Sequence, residues 1–370
     1  MMLLAVRNLF QSKRSLLISV GGVALSLLLI LSLDAVFTGV EKQVTAYIDF
    51  SGADIFVSQE GVRNLHMTTS SFPAQWIERI GDVQGVAEAL PILYVANMVV
   101  TGDDRHLAYV IGLPPGASMG GPWNVTEGRS LPEPGEAVID RSVAEGSGVE
   151  VGEDVQILGR RFAVVGFAEG TASLVNSVAF IAADDFAALR GGGQTVSFVL
   201  VRVTEEAAAD EVAARIEAEV DGVTALSRAE FAAEERRVVR DMSTDVVTIM
   251  NFVGLLIGLA VMALSVYITV LARRAEFGVL KALGARSADL NRVVVTHAML
   301  SVGMGFVLAA ILTLALSAVI PSVSPNLTLR LSAGSLVKVA FGSAAIAAAS
   351  ALMPVRQIAG LDPAMVFRGR

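Results

Sequence analysis

The chain has 370 residues, is 54% hydrophobic, carries a formal net charge of −8 and contains no cysteine. Soluble globular chains average about 45–50% apolar residues, so the excess here indicates membrane-embedded segments. The lack of cysteine excludes disulfides and cysteine-ligated metal sites. No G-x-x-x-x-G-K-[ST] motif occurs, so the chain is not itself a P-loop ATPase. The three histidines are scattered without metal-ligand spacing, and we predict no catalytic residue, metal or cofactor on this chain.

The N-terminal region combines a basic segment with a long apolar run. Residues 1–14 have apolar side chains at positions 3, 6, 9 and 10, a spacing typical of an amphipathic helix in a membrane interface. Residues 15–37 are the first predicted transmembrane helix, because a spanning helix needs about 20 mostly apolar residues. The alternative is a cleaved signal peptide, but the apolar run is too long and lacks a small-x-small cleavage site. We therefore expect a retained anchor.

Residues 38–245 have the pattern of an acidic, mixed α+β domain. Short β-type runs bounded by glycine alternate with segments of helical periodicity. The predicted elements include helices over 73–81 and 205–220 and a strand pair over 94–100 and 107–111. We expect two lobes that divide near residue 115. The paired acids of this region indicate turns and helix starts, not an acid–base site.

A charged helix is predicted over 230–245, and it leads directly into a second transmembrane helix over 246–271. A continuous rod of this kind is suited to transmitting movement, although a helix with a solvated face is the simpler interpretation. Gly254 and Gly258 form a GxxxG pattern in this span. Such spacing lets two helix backbones approach closely, within one chain or across a dimer.

Residues 272–292 form a basic segment with the pattern of a helix-turn-helix elbow. Phe277 and Leu280 lie three residues apart and share a helix face. Gly284 is suited to end this helix in a left-handed conformation, and Ser287 to cap the next one. An ordinary positively charged loop would need the charges but not this ordered pattern, so we expect the elbow to dock a partner. The residues assigned to docking are Arg273, Arg274, Glu276, Phe277, Gly278, Leu280, Lys281, Gly284 and Arg286.

Two more spans follow the elbow. They and their flanks are a third span over 293–320, a short loop over 321–335, a fourth span over 336–353 and a tail over 354–370. The fourth is only 18 residues long, which leaves a buried core helix as the alternative, but Lys338 can extend it by snorkelling. Small residues recur every four positions at Ser343, Ala347 and Ala351, and they predict a helix-packing face.

Charge differs strongly between the α+β region and the rest of the chain. Residues 38–245 carry 15 basic and 32 acidic residues, a balance of −17, whereas the remainder carries 13 basic and 4 acidic residues, a balance of +9. The basic residues cluster before the first span, between the second and third, and after the fourth. Short loops rich in Lys and Arg stay in the cytoplasm, so we predict a multi-pass cell-membrane protein with both termini inside. Residues 38–245 and 321–335 then lie outside.

The elbow sequence Glu276-Phe-Gly-Val-Leu-Lys-Ala-Leu-Gly284, followed by a span with Gly303 and Gly305, resembles the permeases of FtsX/MacB-type (type VII) ABC transporters. The resemblance is strongest to a DevC- and HrtB-like branch without a fused ATPase, and it covers nearly the whole chain. Other matching segments are Gly52–Val57, Gly85–Pro91, Val149–Val155 with Phe162–Gly166, and Pro354–Pro363.

This resemblance implies an α-helical membrane protein with four transmembrane helices and an extracytoplasmic MacB-like α+β domain between helices 1 and 2. It implies a non-catalytic permease that pairs with a separate cytoplasmic ABC ATPase in two copies, which binds the ATP and docks on the elbow. A second permease chain, as a homodimer or a close paralogue, and a membrane-fusion adaptor are the other expected partners besides the lipid bilayer; no nucleic acid is expected. The ATPase stroke would move the outer domains and drive export or extraction of a substrate.

Two alternatives stay open at this point. The first is an FtsX-like regulator that transmits ATPase movement to an outer partner, such as a cell-wall hydrolase, without transport. The second is a receptor or small-molecule binder that works without any ATPase.

Overall fold

The computed structural model describes residues 13–359 apart from residues 67, 103, 174–175, 191–193, 273 and 325. The predicted interfacial helix over 1–14 thus lies outside the described residues except for its last two positions, and residues 360–370 of the predicted tail also lie outside them. The chain forms two compact units. The helical unit comprises Met1–Gly39, Ser243–Ser324 and Thr328–Arg370, and the sheet unit comprises Val40–Met242 and Pro325–Leu327.

The helices and strands are numbered separately in chain order. The helices are α1 (Lys13–Val44), α2 (Ala46–Phe50), α3 (Trp76–Gly81), α4 (Arg141–Ser147), α5 (Ala183–Arg190), α6 (Ala209–Glu219), α7 (Arg228–Ala272), α8 (Arg274–Ala282), α9 (Ser287–Val323) and α10 (Ala333–Ala359). The strands are β1 (Ile55–Gln59), β2 (Phe72–Pro73), β3 (Val86–Thr101), β4 (Asp104–Leu113), β5 (Val125–Gly128), β6 (Glu136–Asp140), β7 (Asp154–Ile157), β8 (Arg160–Ala168), β9 (Ser177–Ala182), β10 (Thr195–Val196), β11 (Phe198–Val203) and β12 (Val223–Ser227).

The helical unit is built on four long apolar helices, α1, α7, α9 and α10. Within the described residues, each contains a stretch long and apolar enough to cross a membrane. Their shared core is apolar and includes Leu27, Met262, Val302 and Ala347. Large apolar side chains also point outward on all four helices, as a lipid environment requires and water would penalise.

These helices are longer than the spans expected from hydropathy. The first begins and ends outside residues 15–37, and the second is the membrane part of a single helix of 45 residues that starts at Arg228. The third starts at Ser287 instead of residue 293, and the fourth runs from Ala333 to Ala359. Hydropathy marks only the apolar part of a helix, and backbone hydrogen bonds continue beyond it.

One half of the sheet unit is a closed ring of six strands. The strands β3, β4, β9, β6, β8 and β7 pair in that order, and β7 pairs back with β3. The β4–β9 and β6–β8 pairs are parallel and the other four are antiparallel. An apolar cluster that includes Val110, Ile139, Phe162 and Ile181 belongs to this ring, and Phe186 of α5 packs with it. A closed ring leaves few free strand edges.

The other half is an antiparallel sheet in the order β12-β1-β11-β3. Alternate residues serve its two faces: Ile55 and Val57 pack with α3 and α6, whereas Phe56 packs on the opposite face. There the ring of Phe56 stacks on that of Phe231, in the first turn of α7, with 4.7 Å between ring centroids. The start of the longest helix is therefore fixed in the core of this sheet.

The long strand β3 joins the two halves. Its residues up to Ile92 pair with β11, and its residues from Leu93 onward pair with β4. The predicted strand pair over 94–100 and 107–111 is confirmed by the β3–β4 hairpin. The change of partners lies at residues 92–93, inside a strand where no turn marks the sequence. The division into two lobes near residue 115 stays a prediction.

Candidate functional site

The elbow consists of α8, a tight turn and the start of α9. The turn is closed by two backbone hydrogen bonds, from Ala285 N–H to the Leu280 carbonyl at 3.0 Å and from Gly284 N–H to the Lys281 carbonyl at 3.1 Å. This is the Schellman pattern of helix ends, and it requires a left-handed residue at its centre. Gly284 has φ of +94° and takes that position, as its sequence context predicts.

The second helix of the elbow is capped one residue earlier than expected. Arg286 is the N-cap of α9, with extended backbone angles and no side-chain cap hydrogen bond, and Ser287 is the first helical residue. The prediction that Ser287 caps this helix is therefore wrong. The Schellman turn uses residues up to Ala285, which leaves Arg286 as the next extended residue, and the Arg286 carbonyl accepts hydrogen bonds from Asp289 and Leu290.

The apolar residues of α8 do not all face outward. Phe277 is only 7% exposed and belongs to the apolar core of the helical unit together with Leu290 and Val294 of α9. Leu280 also packs against this core. The expected pairing of Phe277 and Leu280 on a free docking face is thus contradicted, because the turn brings α9 against the side of α8 that carries them.

Other side chains form the open face of the elbow. Leu283 is 80% exposed and Val279 is 43% exposed. Glu276 is also exposed, and the three lie at i, i+3 and i+7 on one side of the segment. We call Glu276, Val279 and Leu283 the open face. Sequence reasoning missed Val279 and Leu283, although their spacing from Glu276 was the available signal.

The remaining residues assigned to docking are spread around the elbow. Arg286 is exposed, Lys281 is half-buried and Gly278 is buried. Arg273 lies outside the described residues, and nothing is described of the side chain of Arg274. The exposed positions therefore combine two apolar side chains with charges of both signs.

The predicted helix-packing residues lie between helices of this chain. A Cβ on Gly254 would come within 2.7 Å of the Ile30 side chain of α1, and one on Gly258 within 3.0 Å of Ile346 of α10. Ser343, Ala347 and Ala351 are buried. Two further close approaches were missed by sequence reasoning, Gly22 against Val261 and Gly305 against Val23. Gly22 and Ser26 show the same small-x-x-x-small spacing, so a signal was present.

A buried polar cluster in the sheet unit was also missed. Glu235 of α7 has no exposed side-chain surface and accepts hydrogen bonds from the backbone N–H of Leu65 at 2.7 Å and of His66 at 3.4 Å. Its second oxygen contacts the ring Nδ1 of His66. The Tyr94 hydroxyl donates to the Leu65 carbonyl at 2.9 Å, and the Tyr109 ring meets the His66 ring edge-on.

The chemistry of this cluster is structural. Burial raises the pKa of Tyr94 and of Tyr109, and the negative charge of Glu235 acts in the same direction on both. Both phenols therefore stay neutral and serve as hydrogen-bonding groups. Within the described residues, no group of three or more His, Cys, Asp or Glu side chains could hold a metal ion.

Comparison with known proteins identifies the two parts of the chain. The profile of the MacB-like periplasmic core domain matches residues 16–219, and that of the FtsX-like permease C-terminal region matches residues 248–363. The first profile alone covers more than half of the chain.

Full-length relatives have the same character. An uncharacterised ABC transporter permease of Mycobacterium tuberculosis is 22% identical over 371 residues and is matched along the whole of both chains. One of Methanocaldococcus jannaschii is 23% identical over 390 residues, covering 99% of this chain and 96% of the relative. Among solved structures, the periplasmic region of MacB from Actinobacillus actinomycetemcomitans aligns with a TM-score of 0.38 at 11% identity, over 52% of this chain and 97% of that one. The two profile matches and the four apolar helices lead to one conclusion: this chain belongs to the ABC transporter permeases that combine a MacB-like periplasmic core domain with an FtsX-like permease region.

Proposed function

We propose that this chain is the non-catalytic permease subunit of an ABC transporter complex and couples ATP hydrolysis on a separate cytoplasmic ATPase to movement of its sheet unit outside the cytoplasm. The movement drives export or extraction of a substrate. Two ATPase subunits and two copies of the permease form the complex, which needs one elbow for each ATPase.

The observation that carries this proposal is the open face of the elbow. Leu283 is 80% exposed in a segment surrounded by basic residues, where an aliphatic side chain gains nothing from water. The positive charge of this segment supports a position in the cytoplasm. An exposed aliphatic anchor with charged neighbours has the composition of a protein–protein contact, in which a few buried anchors supply most of the binding free energy.

The structure of the elbow also suits the transmission of force. The Schellman turn holds α8 against α9 through backbone hydrogen bonds, and Phe277 packs α8 into the core of the helical unit. A push on the open face is therefore passed to packed helices instead of being absorbed by a loose loop. α7 is one continuous helix from Arg228 to Ala272, and Phe231 in its first turn belongs to the core of the sheet unit.

The docking proposal is tested by changing Leu283 to Ser. Tagged permease is purified in mild detergent from its native host, and co-purifying ABC ATPase is identified by its Walker A peptides in mass spectrometry. We expect Leu283→Ser to remove most of the ATPase, because an apolar anchor is worth about 2 kcal/mol or more at an interface. Leu107→Ser is the matched control, since Leu107 is an exposed leucine of the sheet unit.

Phe277→Ala and Leu283→Ser should differ in their effect on the thermal stability of the permease. Phe277 is a core residue, so its truncation should lower the thermal stability of the purified permease as well as ATPase recovery. Leu283→Ser should leave that stability unchanged. Full ATPase recovery with Leu283→Ser would refute docking through the open face, and a permease that never recovers an ABC ATPase would favour the ATPase-independent receptor.

A further inference from the structure

A cavity of about 190 Å³ lies in the helical unit between α1, α7 and α10. Its lining is apolar on one side and polar on the other. The apolar lining comprises Leu27, Ile30, Leu255, Val339 and Gly342, and the polar lining comprises Asp34, Asn251, Ser335 and Lys338.

Two of the polar groups satisfy each other. The Ser335 hydroxyl donates a hydrogen bond to the carboxylate of Asp34. Ser335 lies in the first turn of α10, where the hydroxyl of Ser332 accepts its backbone N–H at 3.0 Å. The carboxylate of Asp34 thus lies beside the N-terminus of α10.

The other two polar groups have unused capacity. The side-chain oxygen of Asn251 is shielded from water and accepts no hydrogen bond from the residues that the structure describes. Lys338 lines the same cavity and forms no ion pair in the described part of the chain. Buried polar atoms nearly always have a partner, so Asn251 calls for a donor. Lys338 is exposed, and its ammonium is available to an anion at the same cavity.

The cavity lies at the depth of lipid headgroups. Each polar residue lies near the outer end of its apolar stretch. Asp34 is three residues from the outer end of 15–37, Asn251 five residues from that of 246–271, and Lys338 two residues from that of 336–353. At about 1.5 Å per helical residue, all three lie within about 8 Å of one membrane boundary in the proposed topology. On α1 and α7 the apolar lining continues from there toward the bilayer interior, one to two helical turns further along each helix.

We propose that this cavity binds a phospholipid with a primary ammonium headgroup, of the phosphatidylethanolamine type. The phosphate meets Lys338, the ammonium donates to Asn251 and faces the carboxylate of Asp34, and the first acyl carbons cover Leu27 and Leu255. A cavity of this volume is smaller than the roughly 300–1,000 Å³ that encloses a drug-sized ligand, so it holds a headgroup and not a whole molecule. The site is built by the permease alone and does not depend on ATPase docking.

The test uses purified full-length permease in detergent with equal amounts of phosphatidylethanolamine and phosphatidylcholine, and native mass spectrometry counts the lipids retained. Phosphatidylcholine has the same phosphate but no N–H donor. We expect the wild type to prefer phosphatidylethanolamine by roughly tenfold, the change expected for one charge-assisted hydrogen bond. Asn251→Leu should remove this preference, whereas Lys338→Gln should lower the retention of both lipids, because both carry the phosphate.

Two controls separate the site from general effects. Lys42→Gln changes a second exposed lysine, two turns after Asp34 on α1, and should keep wild-type retention of lipid. Lys338→Arg keeps the cation and should keep that retention as well, which distinguishes lost binding from lost folding. Water-soluble glycerophosphoethanolamine added in excess should not displace the lipid, because it cannot cover the apolar lining. Equal retention of both lipids by the wild type, unchanged preference in Asn251→Leu, or unchanged lipid retention in Lys338→Gln would overturn the proposal. Displacement by the soluble headgroup would refute the role of the apolar lining.

Discussion

The elbow contains core residues and exposed residues, and its sequence pattern does not distinguish the two. Phe277 stabilises the fold, whereas Leu283 is free to meet a partner. The two lie six residues apart, which places them on different sides of the segment. Periodicity alone gave Phe277 a place on a docking face, because nothing in the sequence of α8 tells which side of it α9 will cover.

Gly284 is the residue of the elbow with the strictest conformational requirement. A Cβ at this position would meet no atom within 4 Å, so the cost of substitution comes from φ of +94° and not from a clash. We expect Gly284→Val to destabilise the turn by about 1–2 kcal/mol or more, and Gly284→Asn by less, because Asn tolerates left-handed angles. Hydrogen exchange of the backbone amides of residues 280–290 measures the effect. Gly303→Ala, at an open helical position of α9, is the control and should be neutral; equal exchange in Gly284→Val and the wild type would contradict the assignment.

Glu235 belongs to the buried cluster, and its neighbour Glu234 provides a matched control outside it. Glu235 is fully buried and holds the backbone of Leu65 and His66, whereas Glu234 is partly exposed and pairs with Arg63 and Arg237 at 3.4–3.5 Å. We expect Glu235→Gln to cost about 1.5–3 kcal/mol, the value of hydrogen bonds to a charged group. Glu234→Gln should cost about 1 kcal/mol or less. Chemical unfolding of the full chain followed by its tryptophan fluorescence tests this. A similar loss of unfolding free energy in both variants would show that the buried cluster does not hold the backbone of Leu65 and His66.

At the scale of elements, hydropathy and spacing predict most of the helices and the β3–β4 hairpin, because these depend on local pattern. The closed ring could not be predicted, since it depends on pairs such as β7 with β3, which are separated by more than 50 residues. The parallel pairs β4–β9 and β6–β8 have no turn signature either. The same limit applies to Glu235: it looks like one of several charges in its run until Phe231, four residues earlier, is known to be buried.

Helix packing in the helical unit depends on glycine at the crossing of α1 and α7. A Cβ on Gly254 would lie 2.7 Å from Cγ1 of Ile30, so Gly254→Ala forces one helix to move. We expect Gly254→Ala to cost about 1–3 kcal/mol, the usual range for overpacking. Thermal unfolding in detergent should show the loss, and Ile30→Ala in the same chain should restore part of it by removing the clashing group. Gly21→Ala on α1, where no atom lies within 4 Å, should be neutral. If the double variant lost more stability than the two single variants lost together, the contact between Gly254 and Ile30 would be contradicted.

At the scale of the whole molecule, the arrangement across the membrane is the central expectation, and it follows from charge. Single cysteines at Ser130 and Ala288 are labelled in intact cells with an impermeant thiol reagent; the chain has no cysteine of its own. Both positions are exposed. We expect labelling at 130 in intact cells and labelling at 288 only after permeabilisation. Labelling at 288 but not at 130 would reverse the topology.

The pairing of permease copies stays a prediction, as does the DevC- and HrtB-like branch. The small-residue faces at Gly254 and Ala347 are occupied within the chain, so they are unavailable to a second copy. A permease pair must therefore meet through other surfaces, and the exposed apolar side chains of α7 near Ile249 and Phe252 are available for that.

The burial of Phe277 beside the exposure of Leu283 has a consequence for how such complexes diversify. Substitutions on the open face leave the core of the helical unit intact. In the proposed docking mode, a permease can therefore exchange one ATPase for another through a few surface changes without repacking. Duplicated copies of such a permease could then pair with different ATPase subunits while keeping the same packing of transmembrane helices. In the proposed docking mode, transplanting Glu276, Val279 and Leu283 onto a relative would be the smallest change that transfers the choice of ATPase.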